Sequence, residues 1–121
     1  MIYRRKTYIV DSSFVEEFNA LFNDILLPAQ LKNGSRLIGR WCMSVDDDIS
    51  EIFAMWEYDS FDQYEEIEKK IKSDEEHVRL VQQRFDQIGR DRMKEVLRND
   101  IKQEFFTLTV NREKTILNVI L

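Results

Sequence analysis

From Ile52 to Tyr58 the chain carries bulky apolar side chains on both faces of what reads as one β-strand. Ile52, Ala54, Trp56 and Tyr58 fall on one parity; Phe53, Met55 and Glu57 fall on the other. Strands that are apolar on both sides belong where both sides are covered. The chain has 121 residues, the length of one ordinary domain. Something must cover each face of that strand within these means.

The flanking patterns limit what the cover can be. Ile2 to Val10, "IYRRKTYIV", alternates, is rich in β-branched and aromatic residues, and stops at Asp11-Ser12-Ser13. Ser13 and Glu16 have capping-box spacing. Phe14, Phe18, Leu21, Phe22 and Ile25 then form an apolar helical stripe. Pro28 is expected to kink or end the regular helix, and Asn33-Gly34 to stop it. Ser35 to Ser44, "SRLIGRWCMS", reads as a second strand, with Leu37, Gly39, Trp41 and Met43 on one face and Ile38, Arg40 and Cys42 on the other. Gly39 marks a bulge or a close approach by something bulky. The aspartates of "VDDDIS" lack the alternating oxygen ligands and distant Glu of a calcium loop, so they read as a solvated link. Ser60 with Gln63 opens a helix striped by Phe61, Tyr64, Ile67 and Ile71. Asp74 caps the next, whose buried side is Val78, Val81, Phe85 and Ile88 and whose end is Gly89. Arg92 to Arg98 fits a strand or a last helical turn. Gln103 to Val110 and Thr115 to Leu121 read as strands joined by the short loop "NREK".

Strand, helix, strand, strand, helix, strand is the split βαβ, ferredoxin-like order. The expected class is α+β: an antiparallel βαββαβ sheet with helices on one face, plus a C-terminal β-hairpin. We assign Phe53 and Met55 to the helices, which leaves Tyr8, Trp56 and Tyr58 on the open face. Three such side chains amount to about 450–750 Å² of surface, at the top of what a monomer usually shows. The expected cover is a second copy packed sheet to sheet, giving a barrel-like homodimer. The C-terminal hairpin folded across the face is the other choice.

The net charge of −5 argues against a general nucleic-acid binder, and the cluster Arg4-Arg5-Lys6 lies inside a strand. No apolar run approaches the roughly 18 residues of a membrane span, and "MIYRRKTYIVDSS" has no secretory apolar region. The single cysteine, Cys42, makes no internal disulfide, so a reducing, cytoplasmic setting is expected, with Cys42 as a small buried side chain. Three glycines are too few for a phosphate-cradling loop. His77, the only histidine, sits beside Glu75 and Glu76 and reads as an exposed helical residue. Two-histidine metal sites and histidine-dependent triads are thus unsupported. No metal and no cofactor is expected.

"IYRRKTYIV", "LLPAQLKNGSRLIGRW", "SEIFAMWEYDSFDQYEE" and "KSDEEHVRLVQQ" resemble the NIPSNAP family of the dimeric α/β-barrel superfamily. The most telling residues are Tyr3, Thr7 and Tyr8, Leu37-Ile38-Gly39 with Trp41, and Trp56 to Ser60. The resemblance covers Ile2 to Arg98 and implies a ferredoxin-like fold and a sheet-to-sheet dimer. It sets a domain over 1–100, with 101–121 as an extension of it. The family's activity is poorly defined; related barrels include cofactor-free monooxygenases and haem-degrading enzymes. Three departures stand out. Ala54 occupies a site where many members carry histidine, Arg4 and Arg5 stand where an acidic and an aliphatic residue are more usual, and the stretch after Asp100 has no family counterpart.

The expected function is that of a NIPSNAP-like protein of undefined activity that binds a small planar or acidic molecule as a homodimer. A cofactor-free monooxygenase or isomerase is the alternative. Lys6, Tyr8, Trp41, Ala54, Trp56 and Tyr58 are the candidate pocket residues: flat aromatic walls with a phenol and an ammonium. A plugged interior is the bland counterpart. No catalytic residue is assigned, although acid–base work would fall to Lys6 or Tyr8.

Overall fold

The computed structural model describes residues 1–98 and 101–110. Strands β1 (Ile2–Asp11), β2 (Arg36–Ser44), β3 (Ile49–Tyr58) and β4 (Lys102–Thr107) form an antiparallel sheet in the order β2-β3-β1-β4. Helices α1 (Val15–Leu21) and α2 (Leu27–Lys32) connect β1 to β2; α3 (Phe61–Ser73), α4 (Glu75–Ile88) and α5 (Arg90–Val96) connect β3 to β4. This is the α+β, ferredoxin-like arrangement that the order of periodicities predicts. Arg92 to Arg98 resolves into the end of α5, after which Leu97 makes a single bridge to Val10. The fourth sheet strand is therefore Lys102–Thr107. The predicted strand Thr115 to Leu121 and its hairpin lie outside the described residues.

Two clusters fill the space between sheet and helices. Val10, Phe14, Phe18, Leu21, Ile52 and Val96 form one; Phe22, Ala54, Trp56, Tyr58, Ile67 and Ile71 form the other. The faces of β3 are thus the reverse of the sequence assignment. Ile52, Ala54, Trp56 and Tyr58 pack on the helices, while Phe53 and Met55 lie on the open face. The physical reason is at the strand ends. The parity of Phe53 and Met55 is bracketed by Glu51 and Glu57, whereas the other runs apolar from Ile52 to Tyr58. A dry helix layer selects the uninterrupted set. Tyr8 follows, because it sits directly across from Ile52.

A bulge settles β2. Its register against β3 shifts between Leu37 and Gly39, so Ile38 is the extra residue. Leu37 faces Trp56 and the helices, whereas Trp41 faces Phe53 and open solvent, so these two do not share a face as the alternation alone suggests. The expected bulky approach at Gly39 is the Trp41 ring, 2.4 Å from where a Cβ would stand. Cys42, expected to be buried, is exposed near the end of this edge strand.

Helix signals hold in part. Ser60 accepts from the Gln63 N–H at 3.1 Å and Asp74 accepts from the His77 N–H at 3.1 Å, as capping requires. Ser13 caps nothing; it lies in a short 3₁₀ turn, Ser12–Phe14, that leads into α1. Pro28 does not end the helix. A π turn over Phe22–Leu26, in which the Leu27 N–H reaches back to Phe22, resets the hydrogen bonding just before Pro28. The missing proline N–H then falls in the first turn of α2, where it costs little.

The open face carries Trp41, Met43 and Phe106, which are 47, 52 and 37% exposed. Trp41 and Phe53 pair there with ring centroids 5.3 Å apart. Charged groups share this face: Arg5, across from Met55, pairs with Glu104 at 2.7 Å, and near the end of β3 Glu57 accepts from Tyr3 at 2.7 Å and Arg36 at 2.9 Å. Among the described residues, no helix is long and apolar enough to cross a membrane.

Candidate functional site

The helix layer does not fill the space over the middle of the sheet. A cavity of about 120 Å³ remains between them. One rung of three adjacent strands makes its floor. Lys6 of β1 lies across from Ala54 of β3, and Arg40 of β2 lies across from Ala54 on the other side. Neighbouring strands stand roughly 4.8 Å apart, so two long cations flank one methyl group. The small side chain leaves the void; the cations and rings around it form the walls.

Arg4 and Tyr8 extend the β1 wall, alternating with Lys6 on the same face, and Trp56 extends the β3 wall. Phe18, Phe22, Leu26 and Gln30 project from above at steps of four residues, the middle two from the π turn. Such turns recur at functional sites. His77 of α4 reaches the same cavity, where it is half-buried. His77 was expected to be exposed; the packing of α4 against α3 and the π turn leaves it facing inward.

The cations differ in how they are held. Arg4 is 4% exposed. Its Nη1 donates to Glu68 at 3.2 Å and to Tyr58 at 3.4 Å, its Nε donates to Gln103 at 2.9 Å, and its guanidinium lies 4.9 Å from the Tyr64 ring centroid. Burial alone would lower its pKa. The Tyr58 hydrogen bond and the charge of Glu68 outweigh that and leave it raised. Burial in turn pushes the Tyr58 phenol up, with Arg4 pulling the other way.

Arg40 is held differently. Its guanidinium lies 4.4 Å from the Phe22 centroid and 5.2 Å from that of Phe18, and Nη1 donates to Asn19 Oδ1 at 2.5 Å. Burial lowers its pKa. Its Nη2 is buried without a hydrogen-bond partner among the described residues. Lys6 Nζ stands 5.6 Å from the Tyr8 ring centroid. Among the described residues no carboxylate lies within ion-pair distance of Lys6 or Arg40.

Of the candidate residues, Lys6, Tyr8, Ala54 and Trp56 meet around this cavity, but on the helix side of the sheet rather than its open side. Tyr58 is fully buried beside it and bonded to Arg4; Trp41 is on the opposite face. Sequence reasoning passed over Arg40, Phe18 and Phe22. The four-residue helical step signals the two phenylalanines, while Arg40 is disclosed only once the bulge is placed.

Comparison with known proteins gives a consistent result. The fold is similar to an uncharacterized NIPSNAP domain protein from Burkholderia xenovorans (TM-score 0.65, 18% identity, 91% of this chain and 96% of that one). It is equally similar to a NIPSNAP family protein with unknown function from Agrobacterium tumefaciens (TM-score 0.67, 16% identity, 90% and 88%). It also resembles a putative antibiotic biosynthesis monooxygenase from Deinococcus radiodurans (TM-score 0.50, 11% identity, 92% and 95%). At these identities the likeness is one of fold. No match was found among curated proteins. The NIPSNAP family model matches residues 3–98, and the chain belongs to the NIPSNAP family.

Proposed function

We propose that the chain is a homodimeric binding domain for a small planar or acidic molecule, which it holds in the cavity between sheet and helices. The cavity itself carries this reading: aromatic walls, a methyl floor, and two cations, Lys6 and Arg40, with no carboxylate partner among the described residues. Its volume suits one ring. An engineered apolar cavity of about 150 Å³ accepts benzene. The test is to plug it. Ala54→Leu places branched carbon on the floor between Lys6 and Arg40. In titrations of single-ring compounds followed by tryptophan fluorescence, native protein should bind at least one, and the variant should bind it about tenfold more weakly or not at all. Equal affinity in both proteins removes the cavity from consideration.

The dimer belongs to the open face, where Trp41, Met43 and Phe53 present apolar surface on β2 and β3, flanked on β1 and β4 by the Arg5–Glu104 pair. Apolar surface flanked by polar groups is the make-up of a protein interface. Native protein should sediment as a dimer at micromolar concentration, and Phe53→Arg as a folded monomer. A native sample that is monomeric throughout overturns the dimer. The reading includes a cytoplasmic setting, on the ground of the single cysteine. It includes no nucleic-acid partner.

An enzymatic reading, a cofactor-free monooxygenase or isomerase, draws on one observation: Lys6, Tyr8 and His77, three proton-bearing groups, line the same cavity. Oxygen uptake on addition of quinols would favour it, and its absence across such a panel would leave the binding domain.

A further inference from the structure

Arg40 poses a question that packing does not answer. Two aromatic rings and Asn19 position its guanidinium, yet Nη2 is buried and has no acceptor among the described residues. It is the one such side-chain atom among them. Buried charged donors are normally paired. Lys6, on the same rung, also has no carboxylate within ion-pair distance among the described residues, and none of the residues lining the cavity is an aspartate or glutamate. Among the described residues, Arg4 alone of the three cations has a carboxylate partner, Glu68, and so the cavity's lining carries two positive charges without a carboxylate beside them. A guanidinium presents parallel donors that suit a planar carboxylate.

The rest of the lining narrows the ligand. Tyr8, Phe18, Phe22 and Trp56 favour a flat ring. A volume of about 120 Å³ leaves room for a single one. No glycine-rich loop lines the cavity, and a strongly hydrated phosphate would find rings where it needs backbone N–H groups. We propose that the cavity takes a single-ring aromatic carboxylate, with the Arg40 guanidinium as the anchor of the carboxylate and Ala54 as the floor beneath the ring. This deepens, and rests on, the reading of the cavity as a binding site.

The experiment uses the full chain and three probes: benzoate, its neutral isostere benzamide, and cyclohexanecarboxylate, which keeps the charge but not the flat ring. Calorimetry should show benzoate binding about tenfold or more tightly than either of the others. Arg40→Met should abolish that preference by weakening benzoate alone. Arg40→Lys should recover part of it, since it restores the charge without the fork. Circular dichroism reports whether each variant folds, and the comparison of probes on native protein needs no variant. Equal affinity for benzoate and benzamide overturns the proposal while leaving a binding cavity. So does unchanged benzoate affinity in folded Arg40→Met. If cyclohexanecarboxylate matches benzoate, the aromatic part of the proposal fails. If no ring compound binds native protein, the binding reading fails first and takes this one with it.

Discussion

Arg4→Ala should lower the free energy of unfolding by about 3 kcal/mol. Removing one member of a buried ion pair leaves the other charge uncompensated and costs roughly 3–5 kcal/mol. The lower end applies because the Glu68 side chain keeps 19% of its exposure and water can reach it. Gln103 and the Tyr58 phenol each lose a donor in the same substitution. Urea unfolding followed by circular dichroism measures the effect, with an unchanged slope as the control that the denatured state is the same. The paired variant Arg4→Met with Glu68→Leu should lose less than Arg4→Ala alone, because no charge is left behind. A drop under about 1 kcal/mol for Arg4→Ala would mean that the network contributes no more than a surface pair.

Trp56→Ala should be costlier still, at about 3–5 kcal/mol. Trp56 is 3% exposed and packs against Phe22 with ring centroids 6.1 Å apart. Truncation removes the largest ring of the second cluster and leaves a hole beneath α3 that rigid helices cannot fully close. Against a typical total of about 5–15 kcal/mol, the variant should melt well below native protein, and Trp56→Phe should sit between the two. A loss below about 1 kcal/mol would show that the ring is not in the core. Loss of ligand in Trp56→Ala would say little about the cavity, since the fold is weakened as well. Ala54 and Arg40 are cleaner probes.

The architecture was legible because it depends on period and order. Alternation at Ile2 to Val10, the stripe of Phe14, Phe18, Leu21 and Phe22, and the Ser60 and Asp74 caps are local signals, and each survives in the structure apart from the Ser13 cap. The face assignment was not legible from β3 alone. A period of two separates Phe53 and Met55 from Trp56 and Tyr58 but does not say which set meets the helices. The answer came from what brackets each set, Glu51 and Glu57 on the open side. The site was half legible for the same reason. Lys6, Tyr8, Ala54 and Trp56 share a parity on two paired strands, so they stay together whichever way the sheet faces. Trp41 left the group because one inserted residue shifts β2 against β3. Arg40 entered by the same shift. His77 needed the rotation of α4, which is set by contacts distant in sequence.

That single inserted residue ties two surfaces together. Ile38 is where β2 changes parity, so every side chain beyond it owes its side of the sheet to the bulge. Deleting Ile38 would remove the bulge and leave the pairing as it is, with Arg40 toward the helices and Trp41 and Met43 outward. Pairing Ile38 as an ordinary strand residue would transpose the strand end: Trp41 and Met43 would turn toward the helices, and Arg40 would turn outward among the exposed rings. The guanidinium beneath Phe22 and the tryptophan on the opposite surface are thus a linked pair, inherited together or exchanged together. In this sheet closing the bulge with Ile38 in place would change both surfaces at once, which no substitution at Arg40 or Trp41 could reproduce.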